Sequence, residues 1–237
     1  MPIGFYTGNP ITLPHSAYPK ATLYVVESAI SEAWRIIRDC PEGDFKIDDA
    51  DEDRITRELR TCLMNMVLDR GNVPGFTSDI FRVMREGKFE SFDGTHLDKM
   101  PDLHIDIVRN SPASIRSADG LFVECKPVDR NHPAGATYCD KGIMRYVNGE
   151  YAWASTQGLM VGYASPNYTM PGKLTESFKT RRKQLGVTGG ISACKDCQAK
   201  GYAQRPHITI HARSFVYPST KVKAPSITLR HIWLNTQ

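Results

Sequence analysis

The chain has 237 residues, a net charge of +4, and 41% hydrophobic against 24% charged residues. This is an ordinary globular composition with room for a sizeable core, and it excludes wholesale disorder, a collagen-like repeat and a coiled coil. No apolar run approaches the roughly 20 residues of a membrane helix. Six cysteines are too few for a disulfide framework in a chain this long. The start, Met1 to Phe5, has no basic segment leading into an apolar core. A cytoplasmic setting without a membrane partner is therefore expected.

The charge is unevenly spread. Residues 1–169 hold 18 Lys and Arg against 24 Asp and Glu, whereas residues 170–237 hold 12 against 2. A basic segment on an acidic body suits either phosphate contact or pairing with the acidic half.

In chain order, residues 1–18 read as an N-terminal arm. Residues 19–39 read as a helix, with Leu23, Val26, Ile30, Ala33 and Ile37 on one face. A second helix is expected from Asp51 to about Arg70, with acids in its first turn and Gly71 as its stop. A short helix is expected over Asp79 to Glu86. Residues 103–109, which alternate apolar and polar, and residues 120–126 read as two strands, and the turn formers between them predict a hairpin with a long loop. A helix over 138–153, a strand over 159–163, a basic helix over 172–185 and strands over 207–217 and 226–235 follow. This order predicts a single α/β domain over residues 1–237 with a mixed central sheet flanked by helices. Its core would be residues 50–165, and residues 170–237 would complete the sheet.

The hairpin carries the chemistry. Glu124 and Lys126 project from one strand face, because residues two apart share a face. Reflection about a hairpin centre near residue 115 sets Asp106 opposite Glu124, with Asp102 further out. Charges in apolar surroundings need a partner. The geometry leaves two readings open: a plain Lys–carboxylate pair, or a divalent cation such as Mg²⁺ held by oxygens. Glu58, beside the apolar stripe of the second helix, is a third candidate acid. Glu27 borders the first helix in the same way.

Pro101-Asp102, then Asp106, then Glu124-x-Lys126 after a hairpin, with an acid on an upstream helix, resembles the PD-(D/E)xK nuclease superfamily. Residues 138–163 continue the likeness with a helix and a further core strand. The resemblance implies a restriction-endonuclease-like fold and metal-dependent hydrolysis of phosphodiester bonds. DNA is the implied substrate, in a bacterial or phage restriction or defence setting. It implies Mg²⁺, or Mn²⁺ in its place, held by Asp106, Glu124, the Cys125 carbonyl and Glu58. Lys126 would position or help deprotonate the attacking water. The Pro-Asp dipeptide nominates Asp102 for the first-strand role and pairing nominates Asp106, which is preferred. Lys141 and Arg145 on the next helix, and Lys179, Arg181, Arg182 and Lys183 further on, would contact nucleic acid. Lys195, Lys200 and Arg205 extend that basic run, with Tyr168, Phe178 and Tyr202 interspersed. A second copy of the chain or a larger defence-complex partner fits this picture. The alternative is a silent nucleic-acid-binding or scaffold subunit of the same fold.

Cys194, Cys197, His207 and His211 have zinc-like spacing. However, two histidines four apart on a strand are about 13 Å apart, which argues against one structural Zn²⁺ holding all four.

Overall fold

The computed structural model describes residues 12–85, 87–109, 115–194 and 206–236. Helix α1 (Lys20–Asp39) follows Pro19 and buries Leu23, Val26, Ile30, Ala33 and Ile37 on one stripe. Helix α2 (Glu52–Cys62) starts at Asp51, whose side chain accepts a hydrogen bond from the Arg54 amide, and continues as a π-helical stretch, Leu63–Leu68.

Phe81-Arg82-Val83-Met84-Arg85 forms strand β1 (Phe81–Arg85), which corrects the expectation of a helix there. Phe81 and Val83 are buried while Arg82 and Met84 are exposed, a period of two that no helix face can use. Strands β2 (Leu103–Ile107) and β3 (Leu121–Val128) follow as the expected hairpin pair. Helix α3 is π-helical over Ala134–Ile143 and α-helical over Met144–Val147, so it lies earlier than expected. Strand β4 (Gln157–Ala164), helix α4 (Met170–Arg181), strand β5 (Ser192–Ala193), strand β6 (His207–His211) and strand β7 (Ile227–Asn235) complete the order. β6 is shorter than expected. Just beyond it Arg213 is buried, its guanidinium donating to the carbonyls of Pro225, Ala152 and Trp153.

The strands form one mixed sheet in the order β1-β2-β3-β4-β7-β6-β5. β1, β2 and β3 are an antiparallel meander, and β3, β4 and β7 run parallel. α1 and α2 pack on one face, against Val123, Cys125, Val161 and Tyr163. α3 and α4 pack on the other, against Phe122, Met160 and Trp233. Strand alternation therefore sends Glu124 and Lys126 toward α3. The helix comes close at Gly142, where an added Cβ would stand 2.7 Å from Met160 Cε and about 3.5 Å from the stems of Lys126 and Glu124. Across the other face, Trp34 of α1 stacks on Tyr163 and donates its indole N–H to the Asn235 carbonyl.

Candidate active site

The site lies where α2, β2 and β3 converge. Leu103 pairs with Val123 and His104 with Phe122, so one step further along this register sets Asp102 across from Glu124. The expected pairing of Asp106 with Glu124 is therefore out by four residues. A four-residue slip keeps every side chain on its face, so alternation could not tell the two aspartates apart. Asp106 pairs with Arg82 of β1 and lines a separate cleft with His104 and Arg109. It sits about 13 Å along the strand from Asp102.

Asp102 Oδ2 accepts the Cys125 amide at 2.6 Å and lies 3.3 Å from Lys126 Nζ. Lys126 Nζ also reaches Glu52 Oε1 at 2.5 Å, the Cys125 carbonyl at 2.8 Å and Glu124 Oε1 at 2.9 Å. Glu124 is wholly buried. Its Oε2 accepts a short hydrogen bond from the Tyr151 hydroxyl, and Arg145 NH1 lies 3.1 Å from Oε1. Three carboxylates thus share two cations. Glu124 Oε1, although close to both cations, receives no aligned hydrogen bond.

Glu52 takes the place expected for Glu58. Glu58 turns to Arg57 and lines a small cleft with Cys40 and Phe45. The buried stripe of α2 runs through Ile55, Thr56, Leu59 and Cys62, and Glu58 borders its other flank. Glu52 carries no separate signal in the sequence, because acids in a first helical turn already have a reason to be there, the helix dipole. Tyr151 had no sequence signal. Arg145 points inward to Glu124, which differs from the expected outward phosphate contact.

Burial dominates the electrostatics. It pushes the Glu124 carboxyl up to about 7, with Asp102 adding to the rise against Lys126 and Arg145. Burial also raises Glu52. Burial works to lower Lys126, but Glu124, Asp102 and Glu52 outweigh it and hold the ammonium charged. Lys126 is therefore a fixed cation, suited to orienting water and neutralising charge.

The oxygens gathered here are hard donors: the carboxylates of Asp102, Glu124 and Glu52, and the Cys125 carbonyl. Oxygens of this kind are the donor type a small divalent cation takes, and one buried carboxylate oxygen lacks an aligned donor. Among the described residues no three His, Cys, Asp or Glu side chains stand ready as a ligand group, and the Lys126 ammonium lies within 3.3 Å of all three carboxylates.

The basic surface is partly as expected. Lys141, Lys179, Arg182 and Lys183 are exposed, while Arg181 is held by Asp140 at 2.9 Å. Phe178 is a core residue rather than a surface aromatic. Lys195, Lys200, Tyr202, Arg205 and Cys197 lie outside the described residues. Of the histidines with zinc-like spacing, His211 has both ring nitrogens partnered, by Leu185 O and Thr209 Oγ1. No family model, no curated protein and no solved structure matches the chain.

Proposed function

We propose that the chain is a metal-dependent nuclease of the restriction-endonuclease-like class that hydrolyses phosphodiester bonds of DNA, in a restriction or defence setting. One observation carries this reading. Helix, three-stranded meander, helix and parallel strand follow in the order α2-β1-β2-β3-α3-β4, and acids from α2, the start of β2 and β3 meet at Lys126.

Asp102, Glu124 and the Cys125 carbonyl would hold Mg²⁺ or Mn²⁺, with Glu52 beside them. The cation supplies charge neutralisation and water activation when bound. The chain's own groups do the rest. Arg145 and Tyr151 orient Glu124. The Lys126 ammonium orients the attacking water and stabilises the charge that develops on the phosphoryl oxygens. The exposed Lys141, Lys179, Arg182 and Lys183 supply sequence-independent attraction to the backbone, which falls with salt.

The test is cleavage of supercoiled plasmid with Mg²⁺ or Mn²⁺ by the wild type and by Lys126→Ala. Nicking or linearisation by the wild type alone is expected. Equal cutting by both would sink the assignment of this site. DNA binding without cutting by either would favour a silent nucleic-acid-binding subunit.

A further inference from the structure

A second cleft adjoins the site. It has a volume of about 400 Å³ and is lined by Glu52, Asp48, Asp51, Asp129 and His132. It opens beyond the carboxyl end of β3, where Asp129 follows Val128, three residues after Lys126. In α/β sheets, ligands gather at the carboxyl ends of parallel strands. Glu52 belongs to both places, since it holds Lys126 Nζ and lines this cleft. A polyanion entering here meets acids on several sides. Among the described residues, His132 is the one lining side chain that can carry positive charge.

His132 is held in a definite way. Asp129 Oδ1 accepts the amides of Asn131 at 2.7 Å and His132 at 2.8 Å. The Asp129 amide donates to the His132 carbonyl at 3.2 Å and closes the turn. Both carboxylate oxygens then face the imidazole Nδ1, at 3.1 and 3.0 Å. A carboxylate there makes Nδ1 a protonated nitrogen and fixes the ring's orientation. Burial works to raise Asp129, but the hydrogen bonds from His132 and the two amides win and keep it ionised. The ring's other nitrogen, Nε2, makes no hydrogen bond among the described residues, and the His132 side chain is about half exposed.

We propose that His132 is the proton donor to the leaving oxygen of the phosphodiester, with Asp129 as its positioning residue. This rests on the nuclease reading of the adjoining carboxylates. In the step, water forms a new P–O bond and the P–O bond to the leaving nucleotide oxygen breaks. The Nε2 proton of the imidazolium passes to that oxygen. The proton lost by water goes to solvent, and the neutral imidazole regains one from solvent.

The test compares two duplex oligonucleotides in Mg²⁺: one ordinary, the other carrying a bridging sulfur as the leaving atom at the mapped cleavage position. A thiolate leaves without a proton. His132→Gln is expected to slow cleavage of ordinary DNA about 100-fold and cleavage of the sulfur-bridged duplex less than about threefold. Asp129→Asn, which keeps an acceptor for the two amides, is expected to show the same selectivity with a smaller loss. Affinity for uncleaved DNA in EDTA, read by fluorescence anisotropy, is expected to be unchanged in both variants. Equal loss on the two substrates, or weakened binding, would mean that His132 acts on folding or substrate placement, and the proposal falls. No loss on either would reduce the pair to a capped turn. Failure of the wild type to cut both substrates would instead defeat the nuclease reading itself.

Discussion

Asp102 Oδ2 accepts the backbone N–H of Cys125 at 2.6 Å. One bond thus ties the entry of β2 to the middle of β3, and it holds the aspartate where Lys126 and the Cys125 carbonyl also meet. Asp106, on the same strand face, has no part in this contact.

The two aspartates and the two helix acids can be separated by substitution. Asp102→Asn and Glu52→Gln are expected to lower plasmid cleavage, Asp102→Asn by at least about 100-fold. Asp106→Asn and Glu58→Gln are expected to stay within about threefold of the wild type. Initial rates in Mg²⁺ at fixed salt check this. The reverse ranking of Asp102 and Asp106 would move the site along β2.

Binding a cation to the folded chain alone raises its stability, by about 2.7 kcal/mol at 100 times the dissociation constant. Millimolar Mn²⁺ is therefore expected to raise Tm by several degrees, and EDTA to reverse the rise. Glu124→Gln is expected to abolish the response. A wild type whose melting ignores Mn²⁺, followed by scanning calorimetry, would contradict the ligand set.

Glu27 of α1 and Arg230 of β7 form a buried bidentate pair, the two residues being 1% and 5% exposed. Removing one partner strands the other charge. Glu27→Gln is expected to cost about 3–5 kcal/mol by urea denaturation. Glu27→Leu combined with Arg230→Met is expected to cost less than the single change, since no lone charge remains.

A buried chain of hydrogen bonds joins Tyr138, His231, Thr209 and His211. The Tyr138 hydroxyl and His231 Nδ1 are 2.9 Å apart, and Thr209 Oγ1 lies 2.7 Å from both His231 Nε2 and His211 Nε2. His211 Nδ1, 2.7 Å from Leu185 O, must donate there, so its Nε2 accepts from Thr209. Burial lowers His211 to about 4 and also pushes His231 well below its usual range. The folded pKa lies below the unfolded value of 6.5, so the unfolded chain binds more protons. The stability is complete above about 6.5 and is lost as pH falls toward about 4. The urea midpoint is expected to drop between pH 7 and pH 5, and His211→Asn to flatten that drop. An equal slope in both proteins would exclude His211 as a cause.

Gly120 has φ +104, and an added Cβ would stand 2.1 Å from His104 Nε2. That nitrogen bonds the Asp119 carbonyl at 2.7 Å. Gly120→Ala therefore meets both backbone strain and a clash, and is expected to cost about 2–4 kcal/mol in chemical denaturation.

Much of this molecule was legible in one dimension. The 3–4 spacing from Leu23 to Ile37 and the alternation through β2 and β6 reflect local periodicity, which a sequence displays directly. Glu124 and Lys126 on one face followed from the two-residue repeat of a strand. At β1, five residues with two arginines carry too little pattern to separate strand from helix. Its partner β2 supplies the ladder that decides. Register was beyond local reasoning for the same physical reason that made Asp102 and Asp106 look equivalent: a slip of four residues preserves the face, and only packing across the sheet selects one pairing. Glu52, Arg145 and Tyr151 reach Lys126 and Glu124 from 21 to 74 residues away in the chain. Local pattern is enough to say which strand carries Glu124 and Lys126. Tertiary folding decided which acids surround them, because contacts at that separation depend on how α2 and α3 are docked on the sheet.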